Sequence, residues 1–117
     1  MRFMTLYRPV EEAAGPPKPE QMAAMGQLIG AWTQAGVLVS TEGLMPSAAG
    51  ARVRLDGDAY TVTDGPFVGG DGAVGGYAIL NADSKEHAIE LTKTFLKVVG
   101  GGESELRQMY EASPSSP

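Results

Sequence analysis

Residues 62–77, VTDGPFVGGDGAVGGY, decide how the chain is divided. A β-branched run ends on Asp64-Gly65-Pro66-Phe67, and five glycines follow between Gly69 and Gly76 before the next hydrophobic segment. Pro66 fixes its own φ and carries no N–H, while Gly65 admits dihedrals closed to other residues. A turn aspartate ordinarily accepts a hydrogen bond from the N–H two residues on, and here that residue is Pro66. The Asp64 carboxylate is therefore expected to reach the Phe67 N–H, a neighbouring strand, an arginine, or solvent and ligand. The glycines make a pliable connection, expected to serve as a mobile flap. They are a poor phosphate loop, because a strand follows rather than a helix N-terminus and the run has no lysine.

Upstream, residues 51–55 and 59–63 read as a hairpin around Asp56-Gly57, the pair suited to a type I′ turn. Val53 and Leu55 alternate with Arg52 and Arg54, and Tyr60 and Val62 with Thr61 and Thr63, giving one apolar and one polar face. Residues 37–50 read as a short apolar run and an irregular connection. Residues 1–8 alternate as a strand, with Phe3, Thr5 and Tyr7 on one face. A loop with three prolines follows, and Pro19 suits the first position of a helix running to about residue 35. Met22, Met25, Ile29 and Trp32 form its apolar stripe, and Gly36 stops it. Gly26 and Gly30 lie one turn apart inside this helix, an arrangement expected to let a neighbour pack close.

Downstream, residues 75–81 read as a strand. Asp83-Ser84 opens a second helix, with Glu86 three residues after Asp83 as in a capping box. Ala88, Leu91 and Phe95 make its apolar line, beside Ile89, Thr92 and Leu96. Residues 103–110 alternate as the last strand, and residues 112–117 form a flexible tail. The order predicts an α+β fold: a ferredoxin-like βαββ(β)αβ plait with an antiparallel sheet and both helices on one face. A single domain over residues 1–111 accounts for the chain.

The uncovered sheet face carries Arg2 or Phe3, Arg52 or Val53, Tyr77 or Ala78, and Leu106 or Arg107, the choice depending on register. Either choice leaves apolar groups in water, which predicts a homodimer closed over that face. A domain of 117 residues buries only about 65–70% of its unfolded surface, so a shared core would help it.

Composition narrows the function. The net charge is −5 and the nine lysines and arginines are scattered, so nucleic acid and anionic membrane are not expected partners. Without cysteine, thiolate chemistry and disulfides are excluded. The lone histidine, His87, makes a metal site unexpected, and nothing points to a cofactor. No apolar run approaches the roughly 20 residues of a membrane span, and the N-terminus lacks a signal-peptide core, so a cytoplasmic protein is expected.

The run Val62-Thr63-Asp64-Gly65-Pro66-Phe67 resembles the signature of the DGPF proteins, a branch of the YCII-related family. AGVLVSTEGLMPSAAGARVR, GGYAILNADSKEHAIEL and ESELRQMYE resemble that family's flanking segments, so the likeness spans nearly the whole chain. It implies a dimeric α+β barrel. Relatives outside the DGPF branch often pair a first-helix histidine with an aspartate, and this chain has no histidine there. Members also tend to follow DGPF with a short charged stretch. Here residues 68–73 read VGGDGA, with Asp71 as the sole charge.

Several residues are candidates for a site. Asp64 is the candidate catalytic base, its alternative role being a structural turn clamp. Glu42 is a candidate partner carboxylate, with a solvated loop acid as the alternative. Arg54 and Arg107 are candidates to bind an acidic ligand, or else form salt bridges. Phe67 and Tyr77, with Tyr7, Tyr60 and Trp32, are candidates to line a pocket for a small ring compound, or else core. These suggest a small-molecule-binding or regulatory protein with its cleft near Asp64. The alternatives are a cofactor-independent isomerase, dehydratase or hydrolase acting on a small cyclic or acidic substrate, and a structural accessory to a transcription regulator.

Overall fold

The computed structural model describes residues 1–9, 18–67 and 74–111. Most of the flap expected over residues 68–75, most of the proline-rich loop and the expected tail lie outside them. In chain order the elements are β1 (Arg2–Arg8), α1 (Pro19–Gln34), β2 (Leu38–Gly43), a single 3-10 turn (Ser47–Ala49), β3 (Ala51–Asp56), β4 (Ala59–Asp64), β5 (Gly76–Asn81), α2 (Lys85–Val99) and β6 (Glu103–Gln108). The fold is α+β. Strands β2, β5, β1 and β6 lie side by side in that order as one antiparallel sheet, and β3 and β4 form a separate two-stranded ribbon.

The ribbon corrects two expectations. Its two strands pair with each other as expected, in a register that sets Val53 opposite Val62 and Leu55 opposite Tyr60, but neither joins the main sheet. Arg52 and Val53 therefore drop out of the uncovered sheet face, and the place assigned to them belongs to β2. That strand was hidden by a bulge. Leu38 pairs with Leu80 and Ser40 with Ile79, so Val39 is an extra residue that breaks the alternation. The turn also differs. Asp56 pairs with Ala59, leaving Gly57-Asp58 as the loop. Only Gly57 has positive φ, +64°. That sign pattern belongs to type II′ and not to type I′.

Register settles which side chains face where. Phe3, Thr5 and Tyr7 share a face with Leu80, Ala78 and Gly76, and with Gln108, Leu106 and Ser104. Both helices cover this face. The core is small: Phe3, Ala82 and Ala88 form a buried cluster with Leu91 and Leu106 packed against it, and Leu80 is buried outside that cluster, beside the space under α1. Full burial of side chains the size of Phe3 and Leu80 contributes about 1.5–3 kcal/mol each. The Tyr7 and Phe95 rings meet edge to face, 5.3 Å between centroids.

Helix α1 is docked more loosely, with no fully buried residue. No atom lies near where a Cβ would stand on Gly26 or Gly30, and both are on the exposed side. The expected close packing there is absent, because α1 turns Met25, Leu28, Ile29 and Trp32 toward the sheet instead. The start of α2 also differs from expectation. Ser84, not Asp83, is the N-cap, and its hydroxyl accepts from the His87 N–H at 3.0 Å. His87 Nδ1 accepts in return from the Asp83 N–H at 3.0 Å, so a histidine fills the place expected for Glu86.

Candidate functional site

The Asp64-Gly65-Pro66-Phe67 turn is held by the 3-10 turn across from it. The Gly65 N–H donates to the Gly50 carbonyl at 3.0 Å, and the Phe67 N–H donates to Ser47 Oγ at 3.1 Å. Ser47 is buried, and a side chain at Gly65 would run into the Ser47 main chain. The Phe67 N–H considered for Asp64 is thus taken by Ser47. The Phe67 ring carries the Arg52 guanidinium 4.2 Å from its centroid, a cation–π contact. Asp64 itself is exposed and ends β4 opposite Ala51, and its carboxylate makes no hydrogen bond or ion pair among the described residues.

The other candidates are dispersed. Glu42 and Tyr77 are direct partners on β2 and β5, on the uncovered face of the sheet. Arg107 shares that face from β6, where it pairs with Glu105 at 3.2 Å, as does Arg8 at 3.2 Å. Arg54 stands on the ribbon without an ion-pair partner among the described residues. The centre of the uncovered face is apolar: Met4 opposite Ile79 and Leu6 opposite Tyr77, all half-buried, with the Arg–Glu pairs along β6 and Arg2–Glu111 at one end.

Between α1 and the sheet the fold leaves a half-open cavity of about 350 Å³. Trp32, Ile29 and Met25 wall it from α1, Phe95 from α2, and Tyr7 and Leu38 from the sheet. It exists because α1 stands off the sheet over β2 and β5 instead of packing down on it. Glu42 and Tyr77 border it through the main chain, since the pleat turns their side chains to the other face. Asp64, Arg54, Phe67 and Arg107 are not among its walls.

The polar groups in this cavity are hydroxyls. Tyr7 donates to the Gly101 carbonyl at 2.9 Å, Thr41 to the Tyr77 carbonyl at 2.8 Å, and Thr92 to the Ala88 carbonyl at 2.8 Å. Each has committed its proton and keeps lone pairs to accept. Thr5, 5% exposed, lines the cavity, and its hydroxyl makes no hydrogen bond among the described residues. Burial pushes the Tyr7 phenol above its ordinary pKa, so it stays neutral at physiological pH. No side-chain charge faces the space from the described residues. The cavity can therefore take an apolar body and satisfy a hydrogen-bond donor or two. To a carboxylate it offers no positive charge and only the Thr5 hydroxyl as an uncommitted donor.

Tyr7 and Trp32 were legible as pocket aromatics. Thr5, Leu38 and Thr41 were missed. Thr5 carried a signal, being a polar residue on the same strand face as Phe3 and Tyr7, but Leu38 and Thr41 were obscured by the Val39 bulge. Among the described residues no three acidic or histidine side chains gather as metal ligands, and no helix is long and apolar enough to cross a membrane. No family model matches the chain, and no curated protein matches it.

Proposed function

We propose that the protein is a homodimeric small-molecule-binding or regulatory protein of the YCII-related, DGPF kind, whose ligand is an uncharged ring compound seated between α1 and the sheet. The observation that carries this is the cavity of about 350 Å³ with aromatic and aliphatic walls and hydroxyl oxygens. Its volume is at the lower end of small-ligand sites, which are concave, mostly apolar and fitted with few polar groups. The absence of an inward charge among the described residues favours an uncharged ligand over the acidic one expected of the arginines. With Asp64 off the cavity walls, the reading is one of binding, with no general base at the ligand.

The architecture proposed with it is a ferredoxin-like plait closed as a dimeric α+β barrel. Support comes from the β2-β5-β1-β6 strand order, the helices on one face, and the apolar patch of Met4, Leu6, Tyr77 and Ile79 on the other. Stacking two such patches removes apolar surface from water at about 25 cal/mol per Å². A cytoplasmic role goes with this reading.

A thermal-shift screen of neutral phenols, indoles and lactones beside small carboxylic acids tests the binding. Neutral rings should raise the melting temperature, and Ala78→Leu, which fills the cavity from β5, should abolish the shift while Asp64→Asn leaves it unchanged. Loss of the shift in Asp64→Asn alone would move the site to the DGPF turn. No shift with any compound would defeat the binding proposal.

A further inference from the structure

The β3–β4 ribbon is anomalous as part of a protomer. Every residue of both strands is exposed, and neither strand packs appreciably on another element. The chain is correspondingly spread out, 46 × 45 × 20 Å with a radius of gyration of 16.4 Å, against about 13–14 Å for a compact domain of this length. A two-stranded ribbon alone in water is marginal at best, and this one is fully paired from Ala51–Asp64 to Asp56–Ala59.

Its two faces are unlike. Val53 and Val62 face each other across the strands, as do Leu55 and Tyr60, and all four share one face. They are 67%, 63%, 58% and 72% exposed. The opposite face holds Arg52, Arg54, Thr61 and Thr63. The strip's only charge is Asp64, opposite Ala51 at its end; its apolar centre calls for an apolar occupant, and that carboxylate argues against an anionic polymer or lipid headgroups. The four side chains present on the order of 400 Å² per copy, the size of the largest apolar patch on a typical monomer, which is often functional. Two ribbons with the surfaces they cover reach about 1,600 Å², the size of a standard stable interface.

We propose that the ribbon is an arm that packs its Val53, Leu55, Tyr60 and Val62 face against a second copy of this chain. A second copy supplies apolar surface of the same kind and number, and a two-fold arrangement closes at two copies with both arms engaged. The proposal rests on the dimer reading above and adds to it a second contact region, outside the main sheet.

The absence of cysteine gives a clean test. Val62→Cys on the apolar face and Thr61→Cys on the polar face are each labelled with a maleimide across a dilution series, with the mass followed by light scattering. In the dimer the Cys at position 62 should react at least tenfold more slowly than that at 61, and on dilution to monomer the two rates should converge. Equal rates within a dimer would overturn the arm and leave the sheet-face dimer standing. A monomer at all concentrations would overturn both. Protection that persists in a monomer would show the occupant to be the chain itself, and would also overturn the arm. As a second variant, Leu55→Glu should weaken dimerisation on the order of 100-fold, with Trp32 fluorescence and circular dichroism unchanged. A dimer of undiminished affinity would again count against the arm.

Discussion

Gly65 lies so close to Ser47 that a methyl group on its Cα would collide with the Ser47 carbonyl. The two residues join the DGPF turn to the 3-10 turn and so fix where the ribbon leaves the body. Gly65→Ala should cost about 2–3 kcal/mol, because the neighbour is main chain and cannot swing aside. Ser47→Ala should cost about 1–3 kcal/mol through the orphaned Phe67 N–H. Urea denaturation checks both. Asp64→Ala, lacking any partner among the described residues, should stay within about 0.5 kcal/mol of the parent.

Gly26→Ala and Gly30→Ala should each stabilise the protein by about 0.5–1 kcal/mol. Both positions are exposed and open to a Cβ, so only the helical gain of alanine remains. Thermal melts of the single and double variants check this, and a loss of stability would mean that something packs against α1 in solution.

Stability should fall as pH rises past about 10, the ordinary pKa of tyrosine. Burial raises the Tyr7 pKa in the folded state, so folding favours the neutral phenol. Below the unfolded pKa this stabilisation is fully present, and it is lost as pH climbs through the folded value. Tyr7→Phe should flatten that alkaline decline and lower stability at pH 7 by about 1 kcal/mol, through loss of the hydrogen bond to the Gly101 carbonyl. Melting temperatures from pH 7 to 11 provide the comparison.

Ser84→Ala should cost about 1 kcal/mol by removing the α2 cap, while Glu86→Ala should cost little. His87→Ala should fall between them, because only the Asp83 N–H loses its acceptor. Chemical denaturation of the three variants ranks them.

What could be read from the sequence followed local chemistry. The Asp-Gly pair and the alternation on both sides of it marked the ribbon as a hairpin but not its register, and alternation is the same in a strand on its own and a strand inside a sheet. Its separation from the sheet was therefore illegible. Strand β2 was illegible for the opposite reason, since the Val39 bulge breaks the period on which recognition depends. At the site, the missing N–H of Pro66 correctly marked Asp64 as deprived of its usual partner. That Ser47, twenty residues earlier in sequence, would take the Phe67 N–H was beyond local inference. The cavity was half legible: Tyr7 and Trp32 announced aromatic walls, whereas the stand-off of α1 is a tertiary property.

A ribbon of only two strands has two rims and no interior, so β3 and β4 each leave a row of amide groups unpaired among the described residues. Such rims invite further strands, and a β-branched, aromatic segment such as Tyr60-Thr61-Val62-Thr63 is the kind that stacks into cross-β fibres. Arg52, Arg54, Asp56 and Asp58 place charge along the same hairpin and oppose that stacking. Replacing these four by neutral residues would leave the fold of the body untouched and turn the hairpin into a nucleus for fibrillation.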